Sequence, residues 1–471
     1  MSDNYEIKTQ IKEYTDNRMS RRQLLTRLTG IGLSVSAASS LAEEFAPFVT
    51  RKVDPPATED YPSWVRHLHG SGGKLLVEQL KVAGYKYLFV NPSSSEVPIY
   101  DALVDEPDIH IIKAIHEGAL VAMADGYAKA TGETPFIIIS RPGLPNAMTM
   151  MFNSWKDYIP MVVLVDDVSV GMLGQDGFEA MDHMTSMTQT MTKWHWSIRA
   201  TDKIPEDTRR ALKFASTRPC RPVFLAVPGD LLSKQANTAI MEQGKFNVPM
   251  KLRADPDSIK QAAKLLSTAN NPLILTGDEV RYCQAEPELL ELAELLGVPV
   301  VNAWACSWSR QFPTKHPLYY GQYLSTSRFP GKVDVMLNLG SRMPLAWKDL
   351  DIEPQVKLVQ VRLDAENLAR VYPTELAIIA DLKLFLTDLI EEIKQLSSLS
   401  QLKRTALERL ERARKYQTEK TEVYQKIARA KWNNDPLSAE RLMVELESLL
   451  EKDTVIVSDS DTYGPAIDNY L

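Results

Sequence analysis

Cysteine is scarce in this chain: Cys220, Cys283 and Cys306 are three residues in 471, far apart and odd in number. That excludes a disulfide framework, and no pair has metal-ligand spacing. The three read as core or incidental thiols. Excess positive charge is also missing, with a net charge of −7. A nucleic-acid partner would need a basic patch, so that class is set aside. No apolar run is long enough to cross a bilayer as a stable helix. No Gly-x-Gly-x-x-Gly follows a strand pattern, which argues against a nicotinamide dehydrogenase. No internal repeat or low-complexity tract suggests another architecture.

What is present is apolar residue, 44% of the chain, and a length that supports about three domains. Residues 1–42 read as a leader and 43–66 as a linker with the Pro-rich stretch from Asp54-Pro55-Pro56 to Pro62. Inside the leader, Ser20-Arg21-Arg22-Gln23-Leu24-Leu25 matches the twin-arginine export signal. A mildly apolar stretch through Ile31, Leu33 and Val35 follows, and Ser40-Leu41-Ala42 offers a cleavage point before Glu43. Read as a signal, it predicts a protein that folds in the cytoplasm and is exported folded to the periplasmic side. Read as a plain amphipathic or disordered leader, it leaves the protein in the cytoplasm.

From Lys86 the pattern alternates strand and helix. Strands are expected at Tyr87–Val90, His110–Ile115, Pro135–Ser140, Met161–Val165 and Val223–Val227, with helices such as Glu117–Thr131 and Pro205–Ser216 between them. A second block starts near Asp255, with helices Ile259–Ser267 and Glu286–Leu296 and strands Pro272–Leu275, Val298–Val301, Val333–Leu339 and Val356–Val361. This alternation predicts an α/β fold of consecutive doubly wound parallel-sheet domains, at residues 67–235 and 252–395. Residues 396–434 read as a helical connector: Arg404, Arg409, Arg412, Arg414 and Lys415 interleave with Glu408 and Glu411 on a solvated face. A third block, 435–471, has a helix at Ala439–Leu450 and a strand at Thr454–Ser458. Gly70-Ser71-Gly72-Gly73 looks like a phosphate loop, but no strand pattern leads into it and Walker spacing needs glycine where Leu68 stands. It reads as a turn that starts the helix Lys74–Val82.

Glu117 is the most informative residue. The stretch from Ile109 to Ile115 is apolar and β-branched, and from Ala119 small and apolar residues read as a helix. The carboxylate therefore falls at the carboxyl edge of a parallel sheet, where open α/β folds bind ligands. Its neighbours are apolar, so poor solvation and a raised pKa are expected. The bland reading is an acidic residue placed favourably on a helix dipole.

The text around Glu117 decides between them. His116-Glu117-Gly118-Ala119, Ala124-Asp125-Gly126-Tyr127-Ala128-Lys129-Ala130-Thr131-Gly132, Ser140-Arg141-Pro142-Gly143-Leu144-Pro145-Asn146 and Asp157-Tyr158-Ile159-Pro160 resemble the pyrimidine-binding domain of thiamine diphosphate (ThDP) enzymes. Within that family they are similar to the acetolactate synthase and benzoylformate decarboxylase-like members. Ala293-Glu294-Leu295-Leu296-Gly297-Val298-Pro299-Val300 and His316-Pro317-Leu318-Tyr319-Tyr320-Gly321 resemble the central domain of the same family. The resemblance implies that Glu117 hydrogen-bonds the aminopyrimidine ring and favours its imino tautomer. The imino nitrogen then takes a proton from the thiazolium carbon, leaving an ylide. It further implies a 2-oxo acid substrate, decarboxylated or used in carboligation, and a homodimer or homotetramer.

Other positions follow from the same likeness. Pro142, Gly143 and Asn146 fall on cofactor-side positions. Asn91-Pro92-Ser93-Ser94-Ser95-Glu96-Val97-Pro98 is similar to the family's Asn-Pro-Gly-Ser-Asn-Glu-Leu-Pro, with Ser94 on a substrate-facing serine and Ser93 in place of glycine. A polar turn capping a helix at Glu96 is the alternative. Arg141 stands where glycine is usual and could pair with a substrate carboxylate or block the pocket. Phe178, Glu179, Asp182, Thr192 and Lys193 fit a further family segment, in which His183 is a candidate acid–base group, as is His195 nearby. The methionines at 181, 184, 187 and 191 recur at helix-like spacing and suit apolar packing. Of the flavin-binding segment in acetolactate synthases, Gly340–Asp349 keeps only Arg342, so FAD is not expected.

The family's magnesium signature, Gly-Asp-Gly followed by Asn, is missing from the third block. Gly229-Asp230-Leu231 and Gly277-Asp278-Glu279 come nearest, in the wrong domains, and Asp459 and Asp461 suit loop solvation. The expectation is a fragment with no metal ligands of its own, its magnesium ligands beyond Leu471, and no activity in this form. Residues 435–471 should then be poorly ordered or dock elsewhere. The alternative is a non-catalytic binding or regulatory protein that lost the Mg-diphosphate site.

Overall fold

A computed structural model describes residues 2–15, 19–45, 61–303, 311–323, 329, 331–343, 352–460 and 464–471. The chain divides into two compact units, Met1–Arg66 and His67–Leu471. In the first, helices α1 (Ser2–Thr15), α2 (Arg21–Gly30) and α3 (Val35–Phe45) pack around Tyr14, Met19, Leu24, Leu28, Ala38 and Ala42. Ser20 caps α2: its hydroxyl accepts from Gln23 N–H at 3.3 Å, and Gln23 Oε1 accepts from Ser20 N–H at 2.8 Å. The Ser20-Arg21-Arg22-Gln23 stretch is thus a capping box. Arg21 reaches Glu43 on α3 at 2.9 Å. Most of the Pro-rich stretch lies outside the described residues.

In the second unit, β1 (Val65–Ser71) runs into α4 (Gly72–Val82). This corrects the expectation that no strand precedes the glycine cluster. The strand reads poorly because five of its seven residues are polar or glycine; it pairs with β8 (Gln235–Met241). The glycines serve packing rather than phosphate: a Cβ on Gly72 would overlap the Leu231 carbonyl, and one on Gly73 the Pro98 backbone.

The first large sheet alternates β2 (Tyr87–Asn91), α5 (Val97–Leu103), β3 (His110–Lys113), α6 (Glu117–Thr131), β4 (Phe136–Ile139), α7 (Leu144–Lys156) and β5 (Met161–Asp167). Then come α8 (Met184–Thr188), β6 (Trp194–Ser197), α9 (Ile204–Ser216), β7 (Pro222–Pro228) and α10 (Gly229–Ser233). Strand order is β3-β2-β4-β5-β7-β6, all parallel. All four residues of β4 are buried, as a strand covered by helices on both faces requires. One face packs Leu88, Val90, Ile138 and Leu225; the other packs Phe89, Ile137, Val163 and Phe224. Strand β6 escaped the sequence reading: it is short, sits at the edge and pairs only with β7.

The second sheet comes from α11 (Pro256–Thr268), β9 (Pro272–Thr276), α12 (Glu279–Tyr282), α13 (Glu286–Leu296), β10 (Val300–Asn302), β11 (Tyr319–Gln322), β12 (Val335–Leu339), β13 (Lys357–Arg362), β14 (Leu376–Ile379) and α14 (Leu382–Leu396). Its order is β11-β10-β9-β12-β13-β14, again parallel. Helix α15 (Leu399–Ala430) follows, then α16 (Ala439–Leu449) and α17 (Gly464–Tyr470).

Two expectations need correction here. The basic helix α15 is not only a solvated face: Arg409 is buried and donates to the Leu296 and Ala269 carbonyls at 2.8 and 2.6 Å. Leu402 and Ala413 join the central core. Thr454–Ser458 forms no strand, because its exposed backbone has no partner to ladder with. Helix α16 instead packs on α15, and Tyr470 Oη donates to the Tyr424 carbonyl at 3.0 Å. Cys220 and Cys283 are buried free thiols; Cys306 lies outside the described residues.

Candidate active site

The strand order explains why Glu117 matters. From β2 the chain steps outward to β3, then crosses back to β4 on the other side. The carboxyl ends of β2 and β4 therefore flank a topological switch point, the place where such sheets open a crevice. Asn91 ends β2, the turn Arg141–Gly143 follows β4, and Glu117 opens α6. All three meet. Glu117 Oε1 accepts from Asn91 Nδ2 at 3.0 Å, and Oε2 accepts from Asn146 Nδ2 at 3.0 Å.

Glu117 is half-buried and held by two amides, rather than sealed among apolar neighbours. Each carboxyl oxygen has one donor, and a lone pair remains on each for a ligand. His116 caps α6, its Nδ1 accepting from Gly118 N–H at 3.1 Å. A Cβ on Gly143 would sit 2.5 Å from Glu117 Oε1, although φ there is an ordinary −82°. Close approach, not backbone conformation, therefore demands this glycine. Pro142 is exposed beside it, and Asn146 lies in the first turn of α7. In the sequence, Asn91 marks only the start of a loop motif. Its one signal was an amide on the last residue of a buried strand.

Ser94 is exposed on the rim of an open cleft that it shares with Ser95, Asp167, Ser169 and Asp230. Burial pushes the Asp167 carboxyl above the usual range. Behind Ser94, Glu96 is wholly buried; its Oε2 accepts from Ser93 N–H at 2.8 Å and Tyr100 Oη at 3.0 Å. Neither Ser94 nor His183 contacts the Glu117 carboxylate through a hydrogen bond. His183 is exposed, at positive φ, and leads into α8. His195 lies on the edge strand β6, away from the carboxyl ends of β2 and β4.

Arg141 does not offer a free cation to a substrate carboxylate. Its guanidinium pairs with buried Asp166, its Nε donates to the Glu179 carbonyl at 2.9 Å, and its Nη2 reaches Glu179 Oε2 at 3.4 Å. It pins the segment around Glu179, between β5 and α8, to the end of β5. The misreading arose because its partners lie 25 and 38 residues away. Nearby, Met184 is buried, with Met181 and Met191 against the same core, so these three methionines pack.

The central sheet has its own switch point, between β9 and β12. Gly277 there abuts the Gly340–Ser341 backbone, and Glu279 packs against Gly340. Glu279 is fully buried and accepts from Arg362 Nε at 3.0 Å and Leu363 N–H at 2.8 Å. Burial pushes its carboxyl up while the Arg362 charge opposes that. Arg342, the one flavin-segment residue kept, bonds Asp157 at 2.6 Å instead; residues 344–349 of that segment lie outside the described residues.

No helix among the described residues is long and apolar enough to cross a membrane. Among those residues no group of three or more His, Cys, Asp or Glu could hold a metal ion. Asp459 is exposed, and Asp461 lies outside the described residues. The pyrimidine-facing half of a ThDP site fits what is present: an acceptor carboxylate, two amides that orient it, and a glycine whose missing side chain leaves it room.

Comparison with known proteins agrees with that geometry. The thiamine pyrophosphate enzyme N-terminal TPP binding domain matches residues 70–186, and the thiamine pyrophosphate enzyme central domain matches residues 259–389. The acetolactate synthase large subunit of Corynebacterium glutamicum is 27% identical over 335 residues, covering 69% of this chain and 53% of that protein. The acetolactate synthase large subunit of Lactococcus lactis is 26% identical over 333 residues, covering 68% and 57%. The chain thus spans little more than half the length of these relatives. Among solved structures, benzoylformate decarboxylase from Polynucleobacter necessarius aligns with a TM-score of 0.69 at 20% identity, over 85% of this chain and 72% of that one. A 4-hydroxybenzoylformate decarboxylase from Rhodococcus jostii aligns with a TM-score of 0.69 at 21% identity, over 85% and 73%. These likenesses speak to the fold. With both domain matches placed on its two parallel sheets, the chain belongs to the thiamine pyrophosphate enzymes, carrying their N-terminal TPP-binding and central domains.

Proposed function

We propose that this chain is the cofactor-activating part of a ThDP-dependent enzyme acting on a 2-oxo acid, by decarboxylation or by carboligation of the acetolactate synthase kind. The observation that carries the reading is Glu117 at the switch point, its two oxygens oriented by Asn91 and Asn146. Bound ThDP would supply a carbon nucleophile and an electron sink. Glu117 would hold a proton against the pyrimidine ring nitrogen, and the amides would keep the carboxyl in that orientation. Gly143 would leave the ring room. Ser94, on the cleft rim, is the residue proposed to face substrate. The acetolactate synthase relatives support this chemistry, as does the architecture shared with the decarboxylases.

The same reading includes magnesium and a homodimer or homotetramer. Export by the twin-arginine route remains our proposal for the leader, resting on Ser20-Arg21-Arg22.

The test is Glu117→Gln in the complete gene product loaded with ThDP and magnesium, which should reduce 2-oxo acid turnover to background. Undiminished turnover would sink the assignment. Calorimetric titration gives a second readout: ThDP with magnesium should bind the wild type measurably, and Glu117→Gln should weaken it.

A further inference from the structure

The turn Ser94–Glu96 lies beneath the loop that carries Asn91 at one end and Ser94 in its middle. Glu96 has no exposed surface, yet no Lys or Arg among the described residues pairs with it. Its Oε2 is satisfied by Ser93 N–H and Tyr100 Oη. Its Oε1 and the Ser93 hydroxyl are both buried without a hydrogen-bond partner. Three elements bring titratable groups to this turn. Tyr100 comes from α5. Asp166 comes from β5, its charge matched by Arg141. Asp230 comes from α10, paired with Lys234 at 2.6 Å. A charged Glu96 would thus be a buried anion facing another acid, with no cation of its own.

We infer that Glu96 is a positioning residue whose proton sets the Asn91–Pro98 loop and, through Asn91, the seat of Glu117. The inference deepens the proposed function and rests on reading Glu117 as the activating carboxylate. With its proton, the Glu96 carboxyl can donate to Ser93 Oγ, and both orphaned oxygens gain a partner. Without it, an anion stays buried beside Asp166 with no cation to balance it, even with the Ser93 hydroxyl turned to donate to it, and that cost favours opening the turn to solvent. Asn91 is the other end of that short loop, so its hydrogen bond to Glu117 follows. Burial, with a smaller contribution from Asp166, pushes the Glu96 carboxyl up to about 7, inside the physiological range.

The experiment follows the Asn91 side-chain amide by NMR in the full chain, labelled at asparagine nitrogen and assigned with an Asn91→Ser variant. Between about pH 5.5 and about 8.5 the wild-type signal should shift with a midpoint near 7. Glu96→Gln should remove the midpoint. Tyr100→Phe deletes one donor to the charged carboxyl and should move the midpoint upward. That variant keeps the test open if Glu96→Gln does not fold. A wild-type signal without a midpoint, or one unchanged in both variants, overturns the inference. Failure of the ThDP assignment would appear separately, as turnover insensitive to Glu117→Gln while this titration persists.

Discussion

Two amide donors and one absent methyl group determine how Glu117 is presented. Asn91→Ala should remove one donor and let the carboxyl rotate, lowering turnover about 10- to 100-fold with little loss of melting temperature. Steady-state kinetics beside thermal melts would check both. Gly143→Ala places a methyl group against Glu117 Oε1. It should weaken ThDP binding in calorimetry more than it destabilises the fold. Glu96 gives a pH prediction with a definite sign. Its folded-state pKa is raised above the unfolded value, so its contribution is fully present below about 4.5 and is lost as pH rises through about 7. The loss is on the order of 3 kcal/mol. Urea titrations at pH 5 and 8 should show Glu96→Gln flattening that slope. Glu117 itself was legible in the sequence because a buried strand stops and a helix starts within a few residues. Its partners were not. Asn91 and Asn146 lie 26 and 29 residues away, and only the strand order brings them together. Arg141 was misread for the same reason.

Among the elements, the long buried strands and the helices around Ala- and Leu-rich stretches were legible, because burial on both faces writes a continuous apolar run. The missed strands β6, β11 and β14 have four residues each and lie at sheet edges, too short to write a periodic pattern into the sequence. Helix α15 shows the opposite error. Its composition reads as solvated, yet Arg409 turns inward to cap two carbonyls that would otherwise be buried unpaired. Arg409→Ala should cost about 1–3 kcal/mol in chemical denaturation. Arg404→Ala, on the exposed face, should stay within about 0.5 kcal/mol.

At the scale of the whole second unit, the two parallel sheets are joined through a polar knot. Tyr158 Oη donates to Asp364 Oδ2 at 2.6 Å, and Arg221 lies 4.0 Å from the Trp155 ring and 4.1 Å from the Tyr158 ring. Asp364 also accepts from Asn367 and faces Arg221 at 3.8 Å. Asp364→Ala strips the acceptor from all three. Calorimetry should then show the unfolding profile split or broaden relative to the wild type, as each sheet melts more independently. A sharp transition at unchanged temperature would show that the knot does not couple them.

The strand order of the first sheet has a consequence for how the protein is made. Strand β6 leaves the ribosome before β7, yet β7 is its only partner, inserted between it and β5. Until Pro228 has emerged, β5 has a bare edge and Trp194–Ser197 has nothing to bind. A nascent chain stalled near Pro219 should therefore hold an incomplete sheet, recruit holdase chaperones and yield to protease. About forty residues later, once β7 has cleared the exit tunnel, resistance should arrive in one step.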